Sequence, residues 1–248
     1  MATNKSEKWW IDFFKGDFTE VVLNHQASDT VSFMKTIGQL LPGMSAFDHC
    51  CGKGYLAHEL DNAGLKVTGI DISEPYIEYA RTHFSSAKAE FVLGDAENYL
   101  RPEEYDISIN WNTSFGYYQD DENNERMLIP YSRNLKTGGQ FFFSTMNPLF
   151  IHKHFQRFIV KQVPSGDNTI ITIRESRIED RMMMSDWLVV YPDGRRETAF
   201  GQTKLYSLEE FRSMFSRHGL KVEQTYGDIA GLPYDEDHPS MILYGHKM

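Results

Sequence analysis

The feature that most constrains the fold is a glycine turn directly after an apolar strand. The segment 47–57 reads as the end of a strand, a Gly-x-Gly turn at Gly52 and Gly54, and the start of a helix. Glycines let the backbone turn sharply there and approach a ligand closely. Asp71 stands nineteen residues after Gly52, at the end of the next predicted strand. An acid there can accept hydrogen bonds from both ribose hydroxyls of a nucleoside, so the spacing predicts a nucleoside site on an α/β sheet.

The first 150 residues alternate short apolar strands with helices. The predicted strands are Ser45–His49, Lys66–Ile70, Glu90–Leu93, Tyr105–Ile109 and Gln140–Met146. Helices are predicted from the capping residue Ser73 to Phe84 and over residues 121–135. Strands joined by helical crossovers are parallel, and Asp95 follows the third strand at the carboxyl edge, where open α/β sheets bind ligands.

Residues 151–205 interrupt this alternation. Residues 169–179 and 182–191 read as strands, and Pro192-Asp193-Gly194 is a turn toward a third, which predicts an antiparallel meander. A capping box of Ser207 and Glu210 then predicts a helix that ends at Gly219. Two final strands near residues 222–226 and 241–244 predict a terminal hairpin.

Composition argues against several classes of protein. The formal charge of −10 is the opposite of what a nucleic-acid binder usually carries. Cys50 and Cys51 are adjacent and are the only cysteines, so we expect no disulfide, no zinc site and a reducing, cytoplasmic location. No apolar run is as long as a membrane span, and no signal peptide is apparent, so we expect no membrane partner.

Two kinds of cofactor fit a glycine turn followed by a ribose acid. A nicotinamide dinucleotide would place its pyrophosphate at the helix N-terminus, and Ala57 at the third glycine position is compatible with that. Asp48, however, stands just before the turn. A negative charge there disfavours a pyrophosphate and favours a cationic ligand such as a sulfonium amino acid.

Five short segments, in order along the chain, resemble motifs of the class I S-adenosylmethionine-dependent methyltransferases. They are DHCCGKG at 48–54, GIDIS at 69–73, GDA at 94–96, residues 105–118, which resemble the branch acting on small molecules, and residues 135–139. The resemblance covers roughly residues 30–147 and 205–248. It implies S-adenosylmethionine as cofactor and a Rossmann-like, doubly wound, seven-stranded, mostly parallel sheet with an antiparallel β insertion.

The resemblance also implies a division of the chain. Residues 1–44 would form an N-terminal helical lid, and residues 45–150 with 206–248 the methyltransferase domain. Residues 151–205 would be an insertion that caps the substrate or serves oligomerisation. The insertion carries nine Lys or Arg against seven Asp or Glu, so it could present cations to an anionic substrate, or simply have one face of mixed charge.

Roles for individual residues follow from the resemblance. Gly52 and Gly54 would support the methionine part of the cofactor, with Cys50 as a small neighbour, and Asp48 would lie near its ammonium group. Asp71 would hold the ribose, and Ile72 would pack on the adenine. The remaining predicted cofactor contacts are Asp95 and Ala96 at the adenine, and Asn110 and Trp111 beside the sulfonium.

Trp9, Trp10, Phe13 and Phe14 form two aromatic pairs at i, i+4 spacing. They predict either the core face of a leading helix or a lid, in which Trp10 and Phe14 would contact the cofactor and exclude water from the sulfonium. Phe18 and residues 21–23 continue the amphipathic pattern and favour neither alternative.

The substrate side is less defined, and the sequence identifies no general base. Candidate bases are Tyr117, His152 and His154; the two histidines would share one face if they lay on a strand, but with no third ligand we expect no metal. The candidate substrate contacts are Asn112, Tyr117, Asn147, His152, Arg174, Lys204 and Tyr206.

These patterns predict a methyltransferase that acts on an oxygen or nitrogen of a small molecule, without nucleic acid or membrane as partner. Two alternatives stay open: a Rossmann-type NAD-dependent oxidoreductase, and a non-catalytic cofactor-binding partner subunit. The sequence leaves open whether the chain forms a homodimer.

Overall fold

The computed structural model describes residues 8–14, 19, 21, 26–84 and 88–248. The helices are α1 Trp10–Phe13, α2 Ala27–Ile37, α3 Tyr55–Asn62, α4 Glu74–His83, α5 Asp121–Arg126, α6 Leu128–Arg133, α7 Pro148–Lys153 and α8 Leu208–Arg217, with a 3₁₀ turn at Ala96–Asn98. The strands are β1 Ser45–His49, β2 Lys66–Asp71, β3 Glu90–Leu93, β4 Tyr105–Asn110, β5 Leu135–Met146, β6 Phe158–Ser165, β7 Asn168–Glu179, β8 Met182–Val190, β9 Arg196–Lys204, β10 Leu220–Tyr226 and β11 Ser240–Lys247. Within these described parts, no helix has the length and apolar character that a membrane crossing needs.

Seven strands form the main sheet, in the order β10-β11-β5-β4-β1-β2-β3. The pairs among β1 to β5 are parallel, and β11 runs antiparallel to both β5 and β10. This confirms the predicted Rossmann-like, mostly parallel sheet with a terminal hairpin. The predicted helix over residues 121–135 is instead two short helices that meet at Met127. The reason is Pro130, which lacks the N–H that a continuous helix would donate back to Arg126.

A second sheet of four antiparallel strands, β6-β7-β8-β9, confirms the predicted meander; we call it the roof sheet. It includes β6, Phe158–Ser165, which the sequence analysis did not identify. This edge strand contains Pro164 and is largely exposed, so it lacks the clear alternation of a half-buried strand.

His152 and His154 do not lie on a strand. Asn147 caps α7, with its side chain accepting a hydrogen bond from the Leu149 N–H at 2.9 Å, and Pro148 occupies the first helical position. Both features start a helix. His152 therefore lies on α7 and His154 caps its end, so the two histidines do not share a strand face.

Alternation along β5 builds the core on both faces of the main sheet. Phe142 belongs to the apolar cluster beneath α2 and α3, whereas Phe141 and Phe143 belong to the cluster beneath α6 and α8. All three rings are at most 1% exposed. Burying large apolar side chains on both faces stabilises the sheet and fixes the loops at its carboxyl edge.

Candidate active site

One cavity of about 570 Å³ lies between the carboxyl edge of the main sheet and the roof sheet. The glycine turn and the loops after β2, β3 and β4 form one side. Roof residues, including Arg174, Ser185 and Trp187, form the other side, and the N-terminal aromatic residues contribute to the wall.

The glycine turn and Asp71 are joined directly. The Gly52 N–H donates to Asp71 Oδ2 at 2.9 Å, and the Ser73 N–H donates to Asp71 Oδ1 at 2.8 Å. Cys50 and Gly52 adopt φ values of 57° and 56°, which turn the chain sharply into the cavity. Burial raises the pKa of Asp71, and backbone hydrogen bonds from Ser73, Gly52 and Ile72 oppose that shift. The second strand therefore presents a fixed carboxylate beside the turn.

Asp48 is the more unusual acid. It is 2% exposed, it lines the cavity, and its Oδ2 has no hydrogen-bond partner. Burial, and then the charge of Asp71, raise the pKa of Asp48 to about 8. A buried carboxylate without a partner is costly, and a cation bound beside it would relieve that cost and lower the pKa.

Most of the predicted cofactor residues come together at this cavity. Those that line it are Trp10, Phe14, Asp48, Cys50, Gly52, Asp71, Ile72, Asp95, Ala96 and Trp111. Burial raises the pKa of the Cys50 and Cys51 thiols well above their usual value, so both stay protonated. The roles assigned to all these residues remain predictions.

Gly54 and Asn110 lie behind the cavity wall. A side chain at Gly54 would come within 2.5 Å of the Phe91 ring and 3.0 Å of Ala80, so this glycine allows α3 to pack against α4 and β3. Asn110 is 1% exposed, and its Nδ2 donates to the Ser114 carbonyl at 3.4 Å. Neither residue is among those that line the cavity, and their cofactor contacts remain predictions.

The N-terminal rings form an aromatic wall made of Trp9, Trp10, Phe13, Phe14 and Tyr117, all of which line the cavity. Trp9 lies 4.8 Å from the Tyr117 ring, and the Phe14 carbonyl accepts a hydrogen bond from Ser73 Oγ at 3.0 Å. Burial raises the pKa of Tyr117, so its phenol stays protonated. Phe18 and residues 22–23 lie outside the described residues, and whether this wall opens remains a prediction.

The predicted substrate contacts fall into two groups. Asn112, Tyr117 and Arg174 line the cavity. Asn147 instead donates to the carbonyls of Asp235 and His238 at 2.6 and 2.8 Å. Lys204 Nζ lies 2.6 Å from Asp121, and the Tyr206 hydroxyl donates to the same carboxylate at 2.6 Å. Asp121 belongs to α5, so these two side chains fasten the roof sheet to the part of the chain that forms the main sheet.

The two histidines are not among the residues that line the cavity. His154 Nε2 lies 3.7 Å from Asp237, and its ring packs on Phe150. Among the residues that the structure describes, no three His, Cys, Asp or Glu side chains gather as a metal-binding set.

Sequence reasoning missed several cavity residues on the roof sheet. Met183, Ser185 and Trp187 occupy alternate positions of β8 and all line the cavity. Thr203 of β9 faces Met183 across the sheet and lines it too. Strand alternation within the predicted meander would have identified this face as a group.

Comparison with known proteins agrees with this geometry. Residues 46–139 match the family described as "Methyltransferase domain". The chain is 25% identical over 205 residues to the cypemycin N-terminal methyltransferase of Streptomyces sp, covering 82% of this chain and 83% of that protein. It is 32% identical over 111 residues to the ubiquinone biosynthesis O-methyltransferase of Thiobacillus denitrificans, covering 43% of this chain and only 46% of that protein.

Solved structures share the fold. S-adenosylmethionine-bound CalS10, an amino pentose methyltransferase from Micromonospora echinaspora, aligns with a TM-score of 0.73 at 16% identity, covering 92% of this chain and 94% of that one. The fold is Rossmann-like, and residues 46–139 match a methyltransferase domain. The comparisons together support a class I S-adenosylmethionine-dependent methyltransferase with S-adenosylmethionine as its cofactor.

Proposed function

We propose that the protein transfers a methyl group to a nitrogen or an oxygen of a small molecule. The observation that carries the proposal is one cavity with two unlike walls. The carboxyl edge of the main sheet carries the cofactor motifs, which leaves the roof side for an acceptor. The cavity volume of about 570 Å³ falls within the range of about 300–1,000 Å³ that is usual for small-molecule sites.

The residues at the carboxyl edge fit the cofactor. The unpartnered Oδ2 of Asp48 would face a positively charged group, and Asp71 retains lone pairs for the ribose hydroxyls. Ile72 is 38% exposed at the cavity and offers apolar surface for a purine ring. This match between free acceptors and a cationic nucleoside supports the assignment of roles.

When bound, S-adenosylmethionine supplies an electrophilic methyl group on a sulfonium. The protein then has to hold the acceptor in line and keep water out. The aromatic wall suits the second task, because Trp9 and Trp10 are only 6% and 9% exposed beside the cavity. The first task falls to Asn112 and to the roof residues.

Nitrogen is the better acceptor on present geometry. Among the described residues that line the cavity there is no histidine, the raised pKa of Tyr117 makes its phenol a poor source of phenolate, and the carboxylates of Asp48 and Asp71 are assigned to the cofactor. A neutral amine can attack without first losing a proton, whereas a hydroxyl benefits from a base. Of the compared proteins, one is described as an N-terminal methyltransferase, one as an amino pentose methyltransferase and one as an O-methyltransferase.

Calorimetry with S-adenosylmethionine and with NAD tests the cofactor side of the proposal. We expect saturable binding of the first and no binding of the second. Incubation with radiolabelled S-adenosylmethionine and fractionated metabolite extract then tests transfer. Tight cofactor binding with no labelled product in any fraction would favour the non-catalytic partner subunit, and binding of NAD alone would favour the oxidoreductase.

A cytoplasmic location and a homodimer belong to the same proposal. Cys50 and Cys51 are free thiols, which suits a reducing compartment. Sedimentation velocity of the purified protein tests the oligomeric state.

A further inference from the structure

Arg174 occupies a distinctive place on the roof sheet. It lies on β7 directly opposite Trp187 of β8, so both side chains emerge on the same face. That face continues through Ser185 and Met183, and all four residues line the cavity. Arg174 thus brings a cation to the side of the cavity that faces the carboxylates of the main sheet.

The guanidinium of Arg174 is held in place by an aromatic ring but has no ion-pair partner among the described residues. Its carbon lies 5.3 Å from the centre of the Trp187 ring, which supports the planar group from one side. Its Nε is buried without a hydrogen-bond partner, and no carboxylate of the described residues forms an ion pair with it. Burial lowers the pKa of Arg174, but an arginine stays charged in proteins.

Neighbouring arginines show the contrast. Arg177, three residues along β7 on the opposite face, lies 2.9 Å from Asp186. Arg157, on the segment leading into β6, lies 2.8 Å from Glu175. Both guanidinium groups are matched by carboxylates at the surface, whereas Arg174, on the cavity side, has no such match. A half-buried charge left unpaired is unfavourable unless a ligand supplies the counter-charge.

We propose that Arg174 binds an anionic group, a carboxylate or a phosphate, on the methyl acceptor. This inference rests on the proposed function and narrows it to acceptors that carry both a nucleophile and an acid. The geometry of the roof sheet also indicates at which end of the cavity the acid of the acceptor binds. Met183 and Thr203 form the row beside Gly116, and Trp187 lies four residues further along β8, roughly 13 Å at the usual strand rise. The acid therefore binds toward the end of the roof away from Gly116.

A competing assignment is that Arg174 binds the carboxylate of the cofactor. The test therefore uses protein saturated with S-adenosylhomocysteine, in which that carboxylate is already bound. The chain has four tryptophans, so ¹⁵N-labelled indole groups give four resolvable signals, and Trp187→Phe identifies the one beside Arg174. The probes are inorganic phosphate and acetate, with neutral acetamide as their matched control.

We expect phosphate, acetate or both to shift the Trp187 signal saturably, and acetamide to leave it unchanged. A response to phosphate alone indicates a phosphorylated acceptor, and a response to acetate alone a carboxylic acid. Arg174→Gln should weaken the anion response at least about tenfold, and Arg174→Lys should retain part of it because the charge stays while the planar fork is lost. Arg177→Gln, on the opposite face, should match the wild type.

Two results would overturn the proposal: no saturable response to either anion, and an undiminished response in folded Arg174→Gln. If that undiminished response comes with a more than tenfold loss of S-adenosylhomocysteine affinity, Arg174 is assigned to the cofactor. Failure of the proposed function is distinguishable, because the wild type would then bind no S-adenosylmethionine by calorimetry while the anion response persisted in the unliganded protein.

Discussion

The two sheets meet at one cavity but contribute to it in opposite ways. The main sheet contributes backbone and acids at strand ends: the glycine turn, Asp48 and Asp71. The roof sheet contributes side chains from the middle of its strands, such as Met183 and Trp187. An edge of parallel strands can hold a constant ligand through backbone geometry, whereas a strand face changes its chemistry with each substitution. We infer that cofactor affinity depends on the first sheet and acceptor choice on the second.

The largest expected effect is that of Asp71→Ala on the main sheet. Losing a charged acceptor for two hydroxyls should cost about 1.5–3 kcal/mol, or roughly ten- to a hundredfold in cofactor affinity by calorimetry. Asp106→Ala is the matched control, because Asp106 accepts the Ser45 N–H at 2.8 Å at the other end of the sheet. That control should lose stability and keep the cofactor dissociation constant. An unchanged constant in Asp71→Ala would contradict the ribose assignment.

The next expected effect is a pH dependence of cofactor affinity, which arises on the main-sheet side of the cavity. Asp48 has a pKa of about 8 in the cofactor-free protein, and a cationic ligand favours its ionised form. Cofactor affinity should therefore fall as pH drops below 8, by at most about tenfold per pH unit, with proton release on binding at neutral pH. Asp48→Asn should flatten this profile. A wild-type profile that is already flat between pH 6 and 8 would separate Asp48 from the cofactor.

The raised pKa of Asp48 also has a consequence for stability, with the opposite sign. The folded protein holds this proton more tightly than the unfolded chain, whose aspartate titrates near 3.8. The stabilisation is complete below that pH and is lost as pH rises through about 8. In the absence of cofactor, Asp48→Asn should therefore raise the melting temperature more at pH 8 than at pH 5, measured by calorimetry. An equal change at both pH values would contradict the assigned pKa.

The roof sheet should respond differently. Met183→Ala removes a cavity contact, whereas Met184→Ala changes the opposite face of the same strand. We expect Met183→Ala to reduce the rate of methyl transfer about tenfold and to keep the cofactor dissociation constant within about threefold. Met184→Ala should change neither. The rate is measured as formation of S-adenosylhomocysteine with one fixed acceptor fraction. If the cofactor dissociation constant of Met183→Ala changes as much as this rate, the two sheets do not have separate roles.

The same division between the two sheets explains which site features could be predicted from the sequence. The spacing of Gly52 and Asp71 is local to one strand–turn–helix–strand unit, and the structure joins them by the hydrogen bond at 2.9 Å. Lys204 and Tyr206 were predicted as substrate contacts, but both reach Asp121, more than 80 residues away in the chain. No local pattern encodes such a pairing, since it depends on how the roof docks on the main sheet.

Two local features bear on the predicted site residues. The Asn147-Pro148 pair starts a helix, so His152 lies on a helix and the condition under which the two histidines would share a strand face is not met. Gly54 was assigned to the cofactor by motif, and its missing side chain also makes room for Phe91. A glycine in a binding motif can thus serve packing behind the site.

The smallest expected effect concerns the aromatic wall, which contacts both sheets. The Phe14 carbonyl accepts a hydrogen bond from Ser73 beside Asp71, and a side chain added at Gly201 on the roof sheet would come within 3.2 Å of the Phe13 ring. Because Trp9, Trp10, Phe13 and Phe14 also line the cavity, a bound cofactor would add contacts to this segment and should make it more ordered. Hydrogen exchange in residues 8–14 should therefore slow about threefold or more on cofactor binding, while the exposed edge strand β6 stays unchanged.

A pair of substitutions separates a lid from ordinary core packing. Trp9 is 6% exposed and lines the cavity, whereas Ile11 on the same short helix is 39% exposed. Trp9→Ala should abolish the cofactor-dependent slowing, because its ring links Tyr117 to the roof, and Ile11→Ala should retain it. If residues 8–14 exchange equally slowly with and without cofactor in the wild type, the wall is part of the fixed core. Acceptor entry would then depend on the roof sheet alone.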